Sequence, residues 1–322
     1  MHRVAWKPIA SNFNTPSARI RCLNIIRNFR SDTIALELFD DADFVQKYDA
    51  AIFSKKTTDE NLSQAKALKD AGKIVIFDIC DNQFFDRVKA SGTNAEQERR
   101  LREMFSHADH ITTTTDTLKA VLEQYAPANK ITIIEDALEE TLFVPDDSLV
   151  KRIRRNIDLA LYKRWLKKNA EGKTRLIWFG TIGDKHLGTG IFDILGRKDF
   201  LEQERYRNEI VLTVCSNGKK IFRDNFKGWK IPLTFVHWNA ATFYDVLKLN
   251  HVALIPVTPN PLTLCKSNNR VLTALHNNLA VIADEIPSYR EFANCIALND
   301  WEKGMERYLG KPENRLRDVT EG

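Results

Sequence analysis

Twelve short apolar runs, rich in β-branched and aromatic residues, punctuate this chain, and most are followed by a segment of helical spacing. In the first half HRVAWKP, TIALELF, AAIFS, KIVIFDI, HITTTT and KITIIED predict strands, while ARIRCLNIIRNF, ENLSQAKALKDAG, EQERRLREMFSHA and TLKAVLEQYA predict helices between them. Strands linked through a helical crossover run parallel. The alternation therefore predicts a doubly wound α/β domain over residues 1–140. The Ala71-Gly72 pair before Lys73 is a helix stop of the expected kind. From residue 173 the pattern restarts with TRLIWFGT, EIVLTVCS, PLTFVHW, HVALIPV, LAVIAD and CIALN. Two Rossmann-like domains, 1–140 and 173–322, are thus expected on either side of a linker over 141–172.

The length agrees, because 322 residues exceed what a single hydrophobic core usually serves. A chain with 43% hydrophobic residues is neither disordered nor fibrous. No apolar run approaches the roughly 18 residues that span a bilayer, and the polar start MHRVAWKP is unlike a signal peptide, so a cytoplasmic protein is expected. Five scattered cysteines without a C-x-x-C pair fit reduced thiols in the core better than disulfides or a zinc site.

The net charge of +5 is local in origin. Residues 151–168 carry eight Lys or Arg against the single Asp158, a charge of +7 that leaves −2 for the remainder. Within this predicted helix Val150, Ile153, Ile157, Leu161 and Trp165 recur at spacings of three or four. Such a stripe either packs between domains while the charges are solvated, or rests on an anionic membrane surface at the inner face of the cytoplasmic membrane. No nucleic-acid-binding motif accompanies the charge, and no nucleic-acid partner is expected.

Ligands of open α/β sheets bind beyond the carboxyl ends of the strands, so chemistry is sought where apolar runs give way to polar residues. After the first strand, Ser17, Arg19 and Arg21 open a helix and suit a phosphate or an acceptor, or else form a capped surface turn. After the fourth, FDICDNQFF sets Asp78 and Asp81 three residues apart. These carboxylates fit sugar hydroxyls, a catalytic base or a metal, or simply cap the next element. After the seventh, Gly180, Thr181, Gly183 and Lys185 form a glycine loop that suits a phosphate without matching a dinucleotide or P-loop pattern. The tenth leads through TPNPLTLC to the run Lys266-Ser267-Asn268-Asn269-Arg270 and an apolar helix, a cationic approach to a helix N-terminus that suits a diphosphate. His107 and His110 have no third ligand nearby in sequence, so no metal site is expected.

The ordered set PSARIR, ADHITTTTDTLKAVLEQY, KITIIED, LIWFGTIGDKHLGTG, ALIPV, KSNNRVLTALHNNLAVIAD and PSYREF resembles nucleotide-sugar-dependent glycosyltransferases of the GT-B fold, family 4 type. The resemblance covers nearly the whole chain. It implies an N-terminal acceptor domain, a C-terminal donor domain, and transfer of a sugar from a nucleotide-diphosphate donor to a glycan, lipid-linked or small-molecule acceptor. It further implies retention, with no metal or other cofactor required.

By the same resemblance Gly180, Thr181, Gly183 and Lys185 lie at the donor phosphates, Lys266, Ser267, Asn268 and Asn269 at the diphosphate, and His237 near the base. Ser17, Arg19, Asp78 and Asp81 fall on the acceptor side. Lys185 and Lys266 are the candidates for stabilising the departing diphosphate, with Asp78 as the catalytic carboxylate. The chain departs from the family where two glutamates eight residues apart are usual. Cys265 stands near the first position and Thr273 at the second, and a threonine cannot accept bidentate bonds from a ribose. The chain also ends at Gly322, before the family's final crossover helix. These departures keep two other readings open: a non-catalytic nucleotide-sugar or glycan-binding module of a polysaccharide assembly complex, and a nucleotide-sugar epimerase of the same fold.

Overall fold

The computed structural model describes residues 1–139 and 148–322 and divides them into two compact units. The first comprises Met1–Ala137 with Asn260–Ser267, and the second Leu138–Pro259 with Asn268–Gly322. The chain therefore leaves the second unit after Pro259, lends eight residues to the first, and returns at Asn268.

In the first unit β1 (His2–Lys7), β2 (Ile34–Leu38), β3 (Ala50–Ser54), β4 (Ile74–Asp78), β5 (His110–Thr113) and β6 (Ile131–Ile133) form one parallel sheet in the order β2-β1-β3-β4-β5-β6. Apolar runs with little alternation are what a sheet covered on both faces requires, and β3 and β4 are accordingly buried along most of their length. Phe53, Phe77, Leu101, Met104 and Ile111 centre its core. The helix Asp59–Asp70 is capped by Thr58 and ends where Gly72 adopts φ +71°, as the Ala-Gly pair predicted. HITTTT yields a strand of only four residues because Thr115 turns to accept the Leu118 N–H and caps the following helix.

In the second unit β7 (Thr174–Phe179), β8 (Ile210–Ser216), β9 (Leu233–His237), β10 (Val252–Ile255), β11 (Ala280–Ala283) and β12 (Ala297–Leu298) are again all parallel, ordered β12-β11-β10-β7-β8-β9. This is the Rossmann strand order, with its reversal between β7 and β10. Trp178, Ile191, Leu212, Met305 and Tyr308 lie in its core. Of the five cysteines, all free thiols, only Cys80 is not fully buried, and burial pushes the thiols of Cys22 and Cys215 up to about 12.

The basic helix spans Leu149–Asn169. Most of its apolar stripe does not pack: Val150, Ile153, Ile157 and Leu161 are 77%, 50%, 53% and 58% exposed, and of the five residues Trp165 alone is half-buried. The helix attaches instead by a second face, on which Tyr162 and Leu166 are buried and the Tyr162 hydroxyl bonds Thr213 at 2.8 Å and Asn250 at 3.2 Å. A polar anchor outcompetes the stripe here because the tyrosine carries a ring to bury and a hydroxyl to satisfy. Among the described residues no helix is long and apolar enough to cross a membrane.

Candidate functional site

In a doubly wound sheet the ligand crevice opens where strand order reverses, which in the second unit lies beyond the carboxyl ends of β7 and β10. The loop that leaves β7 is closed on itself. Gly183 and Gly190 both have φ +74° and touch backbone to backbone, so that a Cβ on Gly183 would overlap the Thr189 carbonyl. Asp184 holds the turn between them, accepting from His186 N at 2.8 Å, while its own N–H donates to Thr189 Oγ1. Asp193 then ties the loop to the end of β10 by accepting from Gly190 N at 2.7 Å and Thr258 N at 2.8 Å. Burial raises the Asp193 carboxyl above the usual range despite these bonds. Thr181, Gly183 and Lys185 are exposed on this braced turn.

Beside it stands the helix Asn269–His276. Its N-cap residue, Asn268, is 7% exposed and makes no capping bond, while its side-chain amide nitrogen donates to Glu291 at 2.6 Å. The Val271 and Leu272 N–H groups turn back to the Asn268 carbonyl, so among the described residues those of Asn269 and Arg270 keep their capacity for an external acceptor. One residue inside, Arg270 donates to the Phe179 carbonyl at 2.8 Å and lies 5.6 Å from the Trp178 ring centre. Burial lowers the basicity of its guanidinium, and its buried Nε has no partner. Arg270 therefore fixes the last residue of β7 immediately before the glycine loop. Asp284 does the same for β10, accepting from Val257 N at 2.8 Å while bound to Arg197 and Trp301. Thr273 is half-buried, with its carbonyl taken by Asn277, and His237 is exposed at the end of β9.

The first unit reverses strand order between β1 and β3 and gathers charge beyond those ends. The helix after β1 is interrupted by a π turn, Arg19–Leu23, which directs both of its arginines inward. The surface turn with exposed arginines is therefore not what forms. Arg19 donates to the Phe13 carbonyl at 2.9 Å. Arg21 reaches Asp78 through Nε at 3.0 Å and Nη2 at 2.6 Å, and meets Asp136 at 3.1 Å, which raises its basicity despite a desolvation cost. Asp78 is 1% exposed and also accepts from Thr112 and Ser54. Asp81 is bound by Lys55 and Lys266, which hold its carboxyl far below the usual range against the opposing effect of burial. Lys55 follows β3 with φ +63°, an uncommon backbone for a lysine. Ser267 donates to Asp136 at 2.6 Å, and Ser17 is half-buried in the turn before the π segment.

The expected residues thus fall into two groups. Gly180, Thr181, Gly183, Lys185, Asn268, Asn269 and Thr273 lie at the carboxyl-end side of the second sheet, while Ser17, Arg19, Asp78, Asp81, Lys266 and Ser267 belong to the first unit. Sequence reasoning did not single out Lys55, Asp136, Asp193 or Glu291, and took Arg270 only as part of a cationic run. The signal for Lys55 and Arg270 was visible, since each is a cation adjoining an apolar run. His110 bonds Thr132, and among the described residues no group of three or more His, Cys, Asp or Glu is arranged to hold a metal.

No family model matches this sequence, and no curated protein matches it either. Solved structures do. Anabaena HepE in complex with UDP and glucose superposes with a TM-score of 0.64 at 10% identity, covering 100% of this chain and 95% of HepE. The UDP-forming α,α-trehalose-phosphate synthase of Burkholderia vietnamiensis gives 0.61 at 8%, covering 99% and 92%. That of Burkholderia multivorans gives 0.56 at 10%, covering 99% and 91%. With two doubly wound parallel sheets and this likeness along the whole chain, the protein has the fold of the GT-B glycosyltransferases.

Proposed function

We propose that this protein transfers a sugar from a nucleoside-diphosphate donor to a glycan, lipid-linked or small-molecule acceptor, with retention and without a required metal or other cofactor. The observation that carries the reading is the closed glycine loop at the strand-order reversal of the second sheet, with Lys185 exposed on it and the uncapped start of the helix Asn269–His276 tied to the end of β7 through Arg270. In this reading Gly180, Thr181, Gly183 and Lys185 take the phosphates together with the amides near Asn269. Thr273 and His237 lie toward the nucleoside. UDP is the first nucleotide to test, because HepE binds it.

Catalysis in such a site consists of stabilising the leaving diphosphate. A cation and N–H groups fixed in advance do this without reorganising at the moment of reaction. Retention follows if the leaving phosphate itself takes the acceptor proton. Asp81, held between Lys55 and Lys266, is the first-unit carboxylate assigned to acceptor hydroxyls, while buried Asp78 positions Arg21. In the same reading the protein works in the cytoplasm and its basic helix meets an anionic membrane surface, which the exposure of Val150, Ile153, Ile157 and Leu161 supports.

A non-catalytic nucleotide-sugar-binding module is the second reading, favoured by Thr273 in place of a carboxylate and by the closure of Asp78. Thermal-shift measurements with UDP-, GDP-, ADP- and dTDP-sugars, followed by donor turnover, separate the two. Stabilisation with acceptor-dependent turnover supports transfer. Stabilisation without turnover favours the module, and no stabilisation by any nucleotide rejects both.

A further inference from the structure

The far end of the second sheet carries a cationic feature that the nucleotide reading leaves unused. At the amino ends of β7 and β10, roughly a strand length or about 17 Å from the glycine loop, an open groove of about 460 Å³ is lined by Lys163, Leu166, Lys167, Arg175, Leu249 and the single acid Glu171. Lys163 and Lys167 lie one turn apart on the flank of the basic helix, and Arg175 rises from the start of β7. None of these three side chains forms an ion pair among the described residues, and Arg175 Nε is buried without any hydrogen-bond partner. Three cations without an ion-pair partner against one acid, over an apolar floor of Leu166 and Leu249, leave a net positive receptor for an anion with an apolar neighbour.

The same helix supplies the second observation. At 100° per residue, Val150, Ile153, Ile157 and Leu161 lie roughly opposite the face that packs through Tyr162 and Leu166. Among them they leave a run of large apolar side chains at least half exposed, flanked by Arg154, Arg164 and Lys168. A second copy of the helix is disfavoured as the occupant, because it would bring another +7 against the first. An anionic bilayer answers both halves, since it offers hydrocarbon to the stripe and negative charge to its flanks.

We propose that the basic helix docks this protein on an anionic phospholipid surface and that the groove of Lys163, Lys167 and Arg175 receives a headgroup phosphate. The groove assignment rests on the reading that the helix meets a membrane, and is independent of sugar transfer.

The test is flotation of the full chain with vesicles of phosphatidylcholine alone or of equimolar phosphatidylcholine and phosphatidylglycerol. The wild type is expected to float only with the anionic vesicles, and Ile153→Gln/Ile157→Gln/Leu161→Gln to lose about tenfold or more in partitioning. Lys163→Gln/Lys167→Gln is compared with Arg152→Gln/Arg154→Gln, which removes equal charge outside the groove. The groove variant should bind about fivefold more weakly than this control. Equal loss in the two variants overturns the headgroup site while leaving the surface reading standing. Failure of the wild type to float overturns both, and a dimer in light scattering that the stripe variant disperses, without vesicle binding, assigns the stripe to a second copy instead. All substituted side chains are exposed, and unchanged melting temperatures confirm that the variants fold.

Discussion

Arg21 and Asp78, 57 positions apart, meet as a two-pronged ion pair in which the guanidinium is 6% and the carboxylate residue 1% exposed. The pair joins the helix after β1 to the last residue of β4, and Arg21 extends it to Asp136 and the Ile134 carbonyl. It locks the helix after β1 to the end of the sheet, and so shapes the surface on which an acceptor is proposed to rest.

Removing one partner strands the other charge in the interior. Arg21→Met is expected to destabilise the first unit by about 3 kcal/mol or more, read as a lower urea midpoint. Arg21→Lys should rescue little, because an ammonium cannot reproduce the two-pronged contact. A midpoint unchanged in Arg21→Met would show that the pair contributes nothing net.

Gly183→Ala tests the closed loop. Its added methyl meets backbone rather than a movable side chain, in a conformation with φ +74°. The expected outcome is a folded protein, destabilised by about 1–3 kcal/mol, whose nucleotide affinity falls far more than its melting temperature suggests. Gly228→Ala, also at positive φ but with open space around its Cα, is the matched control and should leave nucleotide binding intact.

Lys185→Ala separates binding from folding. The side chain is exposed on the loop, so the melting temperature should not move, while nucleoside-diphosphate affinity should fall about tenfold or more with loss of a charge-assisted contact. Calorimetric titration of UDP into the two proteins measures it. Equal affinities would remove Lys185 from the site.

Mild acid should weaken the second unit through His251. Its Nδ1 accepts the Arg175 N–H at 3.2 Å, and burial, with Arg175 and Arg315 nearby, lowers its pKa to about 4. In the unfolded chain this histidine protonates near pH 6.5. Between those values the unfolded state binds the extra proton, so stability contributed by the neutral ring is full above about pH 6.5 and is lost as pH falls toward 4. His251→Gln, which does not titrate, should show a shallower decline in denaturation midpoint over that window. Parallel declines would exclude His251 as a source of the pH dependence.

Much of the fold was legible because it depends on local pattern. Apolar runs such as KIVIFDI and EIVLTVCS announce buried strands, and Gly72 announces a helix end. What the pattern does not carry is pairing over distance. Nothing in PSARIR distinguishes an arginine that faces water from one that finds Asp78, because the outcome depends on a π turn and on the registers of β1 against β3 and of β3 against β4. The excursion of Asn260–Ser267 into the first unit was hidden for the same reason: the placement of Lys266 beside Asp81 is a tertiary event. The basic helix shows the converse limit. Its periodicity reveals an apolar stripe, but which of two apolar faces packs was decided by Tyr162 finding Thr213 and Asn250. Of the candidate site, the glycine loop and the helix start were readable as motifs, whereas the bracing by Asp193, Arg270 and Glu291 was not.

Whether the second unit binds a nucleotide sugar for transfer is measured by release of nucleoside diphosphate from UDP-, GDP-, ADP- and dTDP-hexoses, with and without oligosaccharide or lipid-linked acceptors. The expected result is release from one donor class that accelerates with an acceptor and is lost in Gly183→Ala. Absence of release from every donor, with no nucleotide shifting the melting temperature, would contradict it.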